Sequence, residues 1–208
     1  MEKYFTPAGP GGAEITEKRS RFIARVIPAG NEDEAKAEIG RARAQYHDAR
    51  HCCWCYIIRG GAERYSDDGE PQGTAGLPML EVFRHNEIMD VCCTVTRYFG
   101  GILLGPGGLS RAYSGAAKLA LEAAGAAEIR NWERIEFTCG YNILGKVNSE
   151  IVCFGGIVES ADYGEGVAFR ALLPPGSAES FNKSLAEASA GKVSGIITGS
   201  AWRAINNA

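Results

Sequence analysis

The order of patterns in the last third of the chain constrains the fold most. From Arg134, RIEFTCGY alternates as a half-buried strand does, and NILGKVNSEIVCFG carries helical spacing. GIVESADYG and EGVAFRALLP then read as two strands turning at Gly164. GSAESFNKSLAEASAG reads as a helix, and KVSGIITGSAWR as a closing strand. Strand, helix, strand, strand, helix, strand is the split βαβ order of a ferredoxin-like domain. Composition shifts at EIRNWERIEF, so two domains are expected, residues 1–132 and residues 133–208.

The first part mixes the same elements differently, which makes the whole chain α+β. Its first dozen residues are rich in Gly and Pro and are expected to be loose. A strand should start near Arg21 and close at Pro28 and Gly30. NEDEAKAEIGRARAQY should be a helix capped by Asn31, with acids in its first turn. HCCWCYIIR and ERYS should form a hairpin about GGA, and IMDVCCTVTRYF a buried strand. Thr74 or the glycines beside it should open a helix within AGLPMLEVFRHN. LSRAYSGAAKLALEAAGA should be a helix that ends at Gly125.

Charge narrows the partners. The net charge is −3, and the segment from Arg134 onward holds six basic and seven acidic residues. That leaves sixteen and eighteen for the part before it, so neither half is a basic domain. Bulk electrostatic binding of nucleic acid is excluded, and any RNA contact must use a local patch. No apolar run approaches the roughly 18 residues of a membrane span, and MEKYFTPAGPGG does not open as a signal peptide does. A cytoplasmic protein without a membrane partner is expected.

Two stretches hold candidate chemistry. In SDDGEPQGTAG, Asp67, Asp68 and Glu70 precede Thr74 between two glycines. Such carboxylates suit a cation or acid–base work, but they also suit turns and helix starts. In YFGGILLGPGGLSRAY, the residues Gly100, Gly101, Gly105, Gly107 and Gly108 lead into a helix. Residues 91–121 contain no Asp or Glu but do contain Arg97, Arg111 and Lys118. Free N–H groups at a glycine-rich helix start attract phosphate or carboxylate. The spacing is neither a Walker A loop nor a dinucleotide fingerprint. A plainer alternative is that Arg97 and Arg111 pair with the three carboxylates and the loops hold each other.

HCCWC invites a zinc reading, since His51, Cys53 and Cys55 share a strand face and Cys92 or Cys93 can supply a fourth ligand. The cysteines stand inside apolar strands, however, where a thiol packs as a small hydrophobe. Core packing, with no zinc and no disulfide, is the expectation.

SRFIA, DARHC, SDDGEPQGTAGLPML and VTRYFGGILLGPGGLSRAY resemble the Impact family, in particular its bacterial branch, over about residues 16–125. The resemblance implies an N-terminal β/α fold like a domain of a small-subunit ribosomal protein. For the second part, length and strand order resemble the ferredoxin-like domain of the bacterial members. The family pattern falls on His51, Asp67, Asp68, Gly69, Glu70, Gly73, Thr74, Gly76, Arg97, Tyr98, Gly100, Gly101, Gly105, Gly108 and Leu109. Eukaryotic members of the family are translation regulators.

The expected function is therefore a non-enzymatic binding protein linked to translation regulation. Its partner would be a ribosome, RNA or a translation-related protein, and no cofactor, metal or catalytic residue is expected. The candidate ligand-binding residues are Asp67, Asp68, Glu70, Thr74, Arg97, Gly100, Gly101, Gly107, Gly108 and Arg111. The alternative is an enzyme or sensor that binds a phosphorylated small molecule or nucleotide at the glycine-rich loop. A third reading is a protein-interaction module alone.

Overall fold

The computed structural model describes residues 3–204. Contacts divide the chain into one unit over Tyr4–Glu128 and a second that begins at Ile129. The elements of the first are β1 (Lys3–Pro7), β2 (Gly11–Glu17), β3 (Ser20–Pro28), α1 (Glu32–Gln45), β4 (His51–Ile57) and β5 (Glu63–Ser66). They continue with α2 (Gly76–His85), β6 (Val91–Tyr98) and α3 (Pro106–Ala124). Strand β7 (Ala126–Cys139) runs on into the second unit.

In the first unit, β2-β3-β6-β4-β5 form an antiparallel sheet. Alternation along its strands sorts the side chains onto two faces. Phe22, Ala24 and Val26 of β3, Cys53 and Cys55 of β4, and Cys93 and Val95 of β6 face α2 and α3. Tyr56 and Cys92 turn the other way, against Ala35 and Ile39 of α1. Helix α1 starts as expected, because the Asn31 side chain accepts the Glu34 N–H at 2.9 Å.

Met1 and Glu2 lie outside the described residues, and from Lys3 onward the opening stretch forms β1 and the start of β2 rather than a loose segment. Tyr4 is buried and its hydroxyl donates to Asp90 at 2.7 Å, and the Met89 N–H donates to the Phe5 carbonyl at 2.8 Å. Gly11 lies so close to α3 that a Cβ would overlap the backbone of Ala120 and Ala124. The glycine there serves close packing of helix on strand rather than freedom. Helix α3 also starts earlier than the LSRA reading, since Pro106, Gly107 and Gly108 make its first turn. Proline suits that position, with its φ preset and no N–H to leave unpaired.

The second unit adds a 3₁₀ turn (Tyr141–Ile143), α4 (Leu144–Cys153), β8 (Ile157–Tyr163), β9 (Val167–Leu173), α5 (Ala178–Ala188) and β10 (Ile196–Ala204). Its strands lie in the order β10-β7-β9-β8, every neighbour antiparallel. That is the ferredoxin-like arrangement. Ile135, Phe137 and Phe169 of the sheet pack with Ile151 of α4 and with Phe181 and Leu185 of α5. The expected strand start at Arg134 falls in the middle of β7, because β10 pairs with β7 from Ile129 through Glu136.

Candidate functional site: a pocket at the start of α3

The acidic loop after β5 is a fastening, and each carboxylate in it has a distinct partner. Asp67 Oδ1 accepts the N–H groups of Ala75 at 3.0 Å and Gly76 at 2.8 Å, and Oδ2 accepts that of Gly73 at 2.8 Å. It therefore caps α2, which has no side-chain cap from Ala75, the residue at its own N-cap position. Asp68 adopts φ +44° and accepts from Cys52 N–H and from Arg43 of α1, both at 2.8 Å. Thr74 is buried, and its hydroxyl donates to the Pro71 carbonyl at 2.6 Å. Neither Thr74 as an opening cap nor a cation held by Asp67 and Asp68 is needed to explain these residues.

Glu70 and Arg97 form a buried ion pair at 2.7 Å, with side chains 4 % and 7 % exposed. The same Glu70 oxygen, Oε1, accepts the Tyr113 hydroxyl at 2.8 Å, and Arg97 Nη2 donates to Ser20 Oγ at 3.3 Å. The guanidinium lies between two rings, 5.5 Å from the centroids of both Phe22 and Phe99. So the reciprocal pairing considered from sequence holds for Arg97. It does not extend to Arg111, which is exposed and has no ion pair among the described residues.

The glycines divide by task. A Cβ on Gly100 would overlap the Arg19 backbone, and the Gly100 N–H donates to Ser20 Oγ at 3.2 Å. Gly101 and Gly105 take φ +85° and +73°, which L side chains resist. Gly107 and Gly108 belong to the first turn of α3, where the first N–H to close a helical bond is that of Leu109, onto Gly105. Pro106 has no N–H, so those of Gly107 and Gly108 are left without an acceptor among the described residues. Arg111 Nη1 lies 3.5 Å from the point a Gly107 Cβ would occupy, beside those donors.

Beneath this turn is a pocket of about 320 Å³. Phe99, Leu103, Leu104 and Leu109 give it apolar walls, and Arg50, His51, Glu70 and Arg97 bring polar groups to it. Register places His51 of β4 directly across from Arg97 of β6. His51 Nδ1 is 2.8 Å from the Asp68 carbonyl, which can only accept, so Nδ1 is the donor in this contact. Arg50 is exposed and has no ion pair among the described residues.

Among the expected residues, Glu70 and Arg97 line this pocket, Gly107, Gly108 and Arg111 lie at the helix start above it, and Asp67, Asp68, Thr74 and Gly100 are committed to holding the loops. Arg50, Phe99, Leu103 and Leu104 were not expected. Their signal is the apolar run FGGILL inside a glycine-rich loop, and an arginine one residue before a strand that faces Arg97.

Cys53, Cys55 and Cys93 face α2 and α3, whereas Cys92 faces α1. Among the described residues no three His, Cys, Asp or Glu side chains come together as a metal-ligand set. Burial pushes the thiols of Cys53, Cys55 and Cys92 well up, so they stay protonated. Cys53 Sγ donates to the Asp67 carbonyl at 3.0 Å, and Cys92 Sγ to that of Ala35 at 3.6 Å.

Residues 18–121 match the Impact N-terminal domain, and residues 137–192 match a domain of unknown function, DUF1949. The IMPACT family member YvyE of Bacillus subtilis is 35 % identical over 92 % of this chain and 89 % of its own length. The chain belongs to the Impact family. Another Impact relative, YigZ of Escherichia coli, is 33 % identical over 93 % of this chain and 97 % of its own. A crystal structure of a hypothetical protein superposes with a TM-score of 0.64 at 32 % identity, covering 95 % of this chain and 98 % of that one. Rat Protein IMPACT matches over 46 % of this chain at 30 % identity. The Impact match spans the whole pocket, whose lining residues run from Arg50 to Leu109.

Proposed function

We propose that this Impact-family chain is a binding protein of the translation apparatus. It engages single-stranded RNA through the start of α3 and the pocket below it. One observation carries the reading. In a chain of net charge −3, two exposed arginines without carboxylate partners, Arg50 and Arg111, accompany two unused N–H donors and the half-exposed ring of Phe99. Phosphate needs the first two features, and unstacked bases need the third. The link to translation comes from the eukaryotic members of the family. No helix among the described residues is long and apolar enough to cross a membrane, and a cytoplasmic setting is part of the proposal.

The test is co-purification from lysate with and without nuclease, followed by titration of the purified chain with RNA at several salt concentrations. Few phosphates are contacted, so the slope of log affinity against log salt should be shallow. Arg111→Ala should flatten it by about 0.7, the share of one phosphate on a single strand. Nuclease-insensitive partners with no RNA affinity would overturn the reading. The volume of the pocket favours one second reading, a phosphorylated small molecule, which would be seen by mass spectrometry of the supernatant after denaturing purified protein.

A further inference from the structure

We infer that the turn between β2 and β3 is a second phosphate-binding element, so that a single-stranded RNA crosses one end of the first unit's sheet, from Lys18 and Arg19 over Phe99 to Arg50. This deepens the proposed RNA reading and rests on it. The turn has two residues, Lys18 and Arg19, between Glu17 and Ser20, which pair across the hairpin. Both take positive φ, +45° and +67°. A two-residue hairpin turn of that shape favours Asn-Gly, because most L side chains resist the left-handed region. Here the two positions hold exposed cations, and neither has an ion pair among the described residues. The conformational cost falls where the charge is presented.

Register fixes what stands beside the turn. Arg21 of β3 lies across from Tyr98 of β6, and His51 of β4 lies across from Arg97. Strand β6 runs between β3 and β4. Arg19 and Arg50, each one residue before its strand, therefore flank the end of β6 from opposite sides. Two strand spacings separate their backbones, roughly 10 Å. The turn is seated against the glycine-rich loop, since a Cβ on Gly100 would overlap the Arg19 backbone and the Gly100 N–H donates to Ser20 Oγ at 3.2 Å. Phe99, 48 % exposed, follows the end of β6 between the two arginines. Cations on either side of a half-exposed ring suit a chain in which phosphates alternate with flat bases. Glu14 is paired with Arg21, Asp68 with Arg43 and Glu70 with Arg97. Lys18, Arg19 and Arg50 outnumber the acids that remain on these segments, Glu17 and Asp48.

The test is fluorescence anisotropy of the full chain with a labelled oligouridine decamer and a labelled glutamate decamer, at several salt concentrations. At about 0.7 per phosphate, contacts from Lys18, Arg19, Arg50 and Arg111 give the parent a log–log slope of about −2.8 on oligouridine. The double variant Lys18→Asn, Arg19→Gly installs the residues such a turn prefers, so its melting temperature should hold or rise. Its slope should fall to about −1.4, and its affinity at low salt should drop about tenfold or more. Phe99→Ala should weaken oligouridine severalfold with the slope unchanged. If the double variant keeps the slope and affinity of the parent, the turn is not a phosphate contact, while the RNA reading stands on Arg50 and Arg111. If the glutamate decamer binds as tightly as oligouridine, or Phe99→Ala has no effect, the surface is a general anion face and RNA is refuted as its occupant. If oligouridine does not bind the parent, the inference and the proposed function fall together.

Discussion

Removing Arg97 tests how the loops around the pocket are held. Arg97→Met keeps much of the packing against Phe22 and Phe99 but leaves the Glu70 carboxylate 4 % exposed with only Tyr113 donating to it. Breaking a buried pair by deleting one partner costs about 3–5 kcal/mol. In a unit the size of Tyr4–Glu128 that lowers the melting temperature by roughly 10–20 °C. The double variant Arg97→Met, Glu70→Leu removes the orphaned charge and should regain most of the loss. It leaves the Tyr113 hydroxyl without its acceptor, a residual of about 1–3 kcal/mol, and adding Tyr113→Phe should recover that. Trp54 is the tryptophan of this unit, the others being Trp132 and Trp202. Replacing those two with Phe lets Trp54 fluorescence report urea unfolding of this unit alone. If Arg97→Met costs under about 1 kcal/mol, or the double variant is no better than the single, the pair does not hold the loops.

Other consequences follow from the same geometry. Asp67→Ala strips three N–H groups of their acceptor and should cost about 2–3 kcal/mol in urea unfolding; an effect below about 0.5 kcal/mol would refute its capping role. Six of the seven cysteines are buried and Cys153 is exposed, so an aromatic disulfide reagent should titrate one thiol in the native protein and seven in denaturant. Arg134 beside Glu159 holds that carboxyl below the usual range. Its contribution is therefore complete above the ordinary glutamate value and is lost as pH falls through the lower folded one. The difference in melting temperature between parent and Glu159→Gln should be constant near neutrality and begin to shrink only below about pH 4, vanishing once the pH is below the lowered folded value; a difference that grows in acid would reverse the assignment.

The second unit was legible because each of its strands and helices carries its own pattern, in an order that fits one known arrangement. Helix α1 was legible for a similar reason, since Asn31 caps an N–H three residues away. What sequence hid were meanings set by distant backbone. Gly11 reads as a loop residue until the backbone of α3 is beside it. Asp67 caps N–H groups eight and nine residues ahead, beyond the spacing of a local capping motif. The pairing of Arg97 with Glu70, rather than with Asp67 or Asp68, is decided by strand register and by Tyr113 on another element. Nothing in residue types separates Arg97, which is consumed by the fold, from Arg111, which is not.

The acidic loop also sets an order in time. Asp68 reaches Arg43 across 25 residues, and Glu70 reaches Arg97 and Tyr113 across 27 and 43. None of these bonds can form until α1, β6 and α3 already stand near their final places, because the loop supplies only short side chains to elements closed by others. A loop held this way should latch after the rate-limiting crossing, and its bonds should then slow opening far more than they speed assembly. Weakening Asp68 should shorten the lifetime of the folded unit while its folding rate stays almost unchanged.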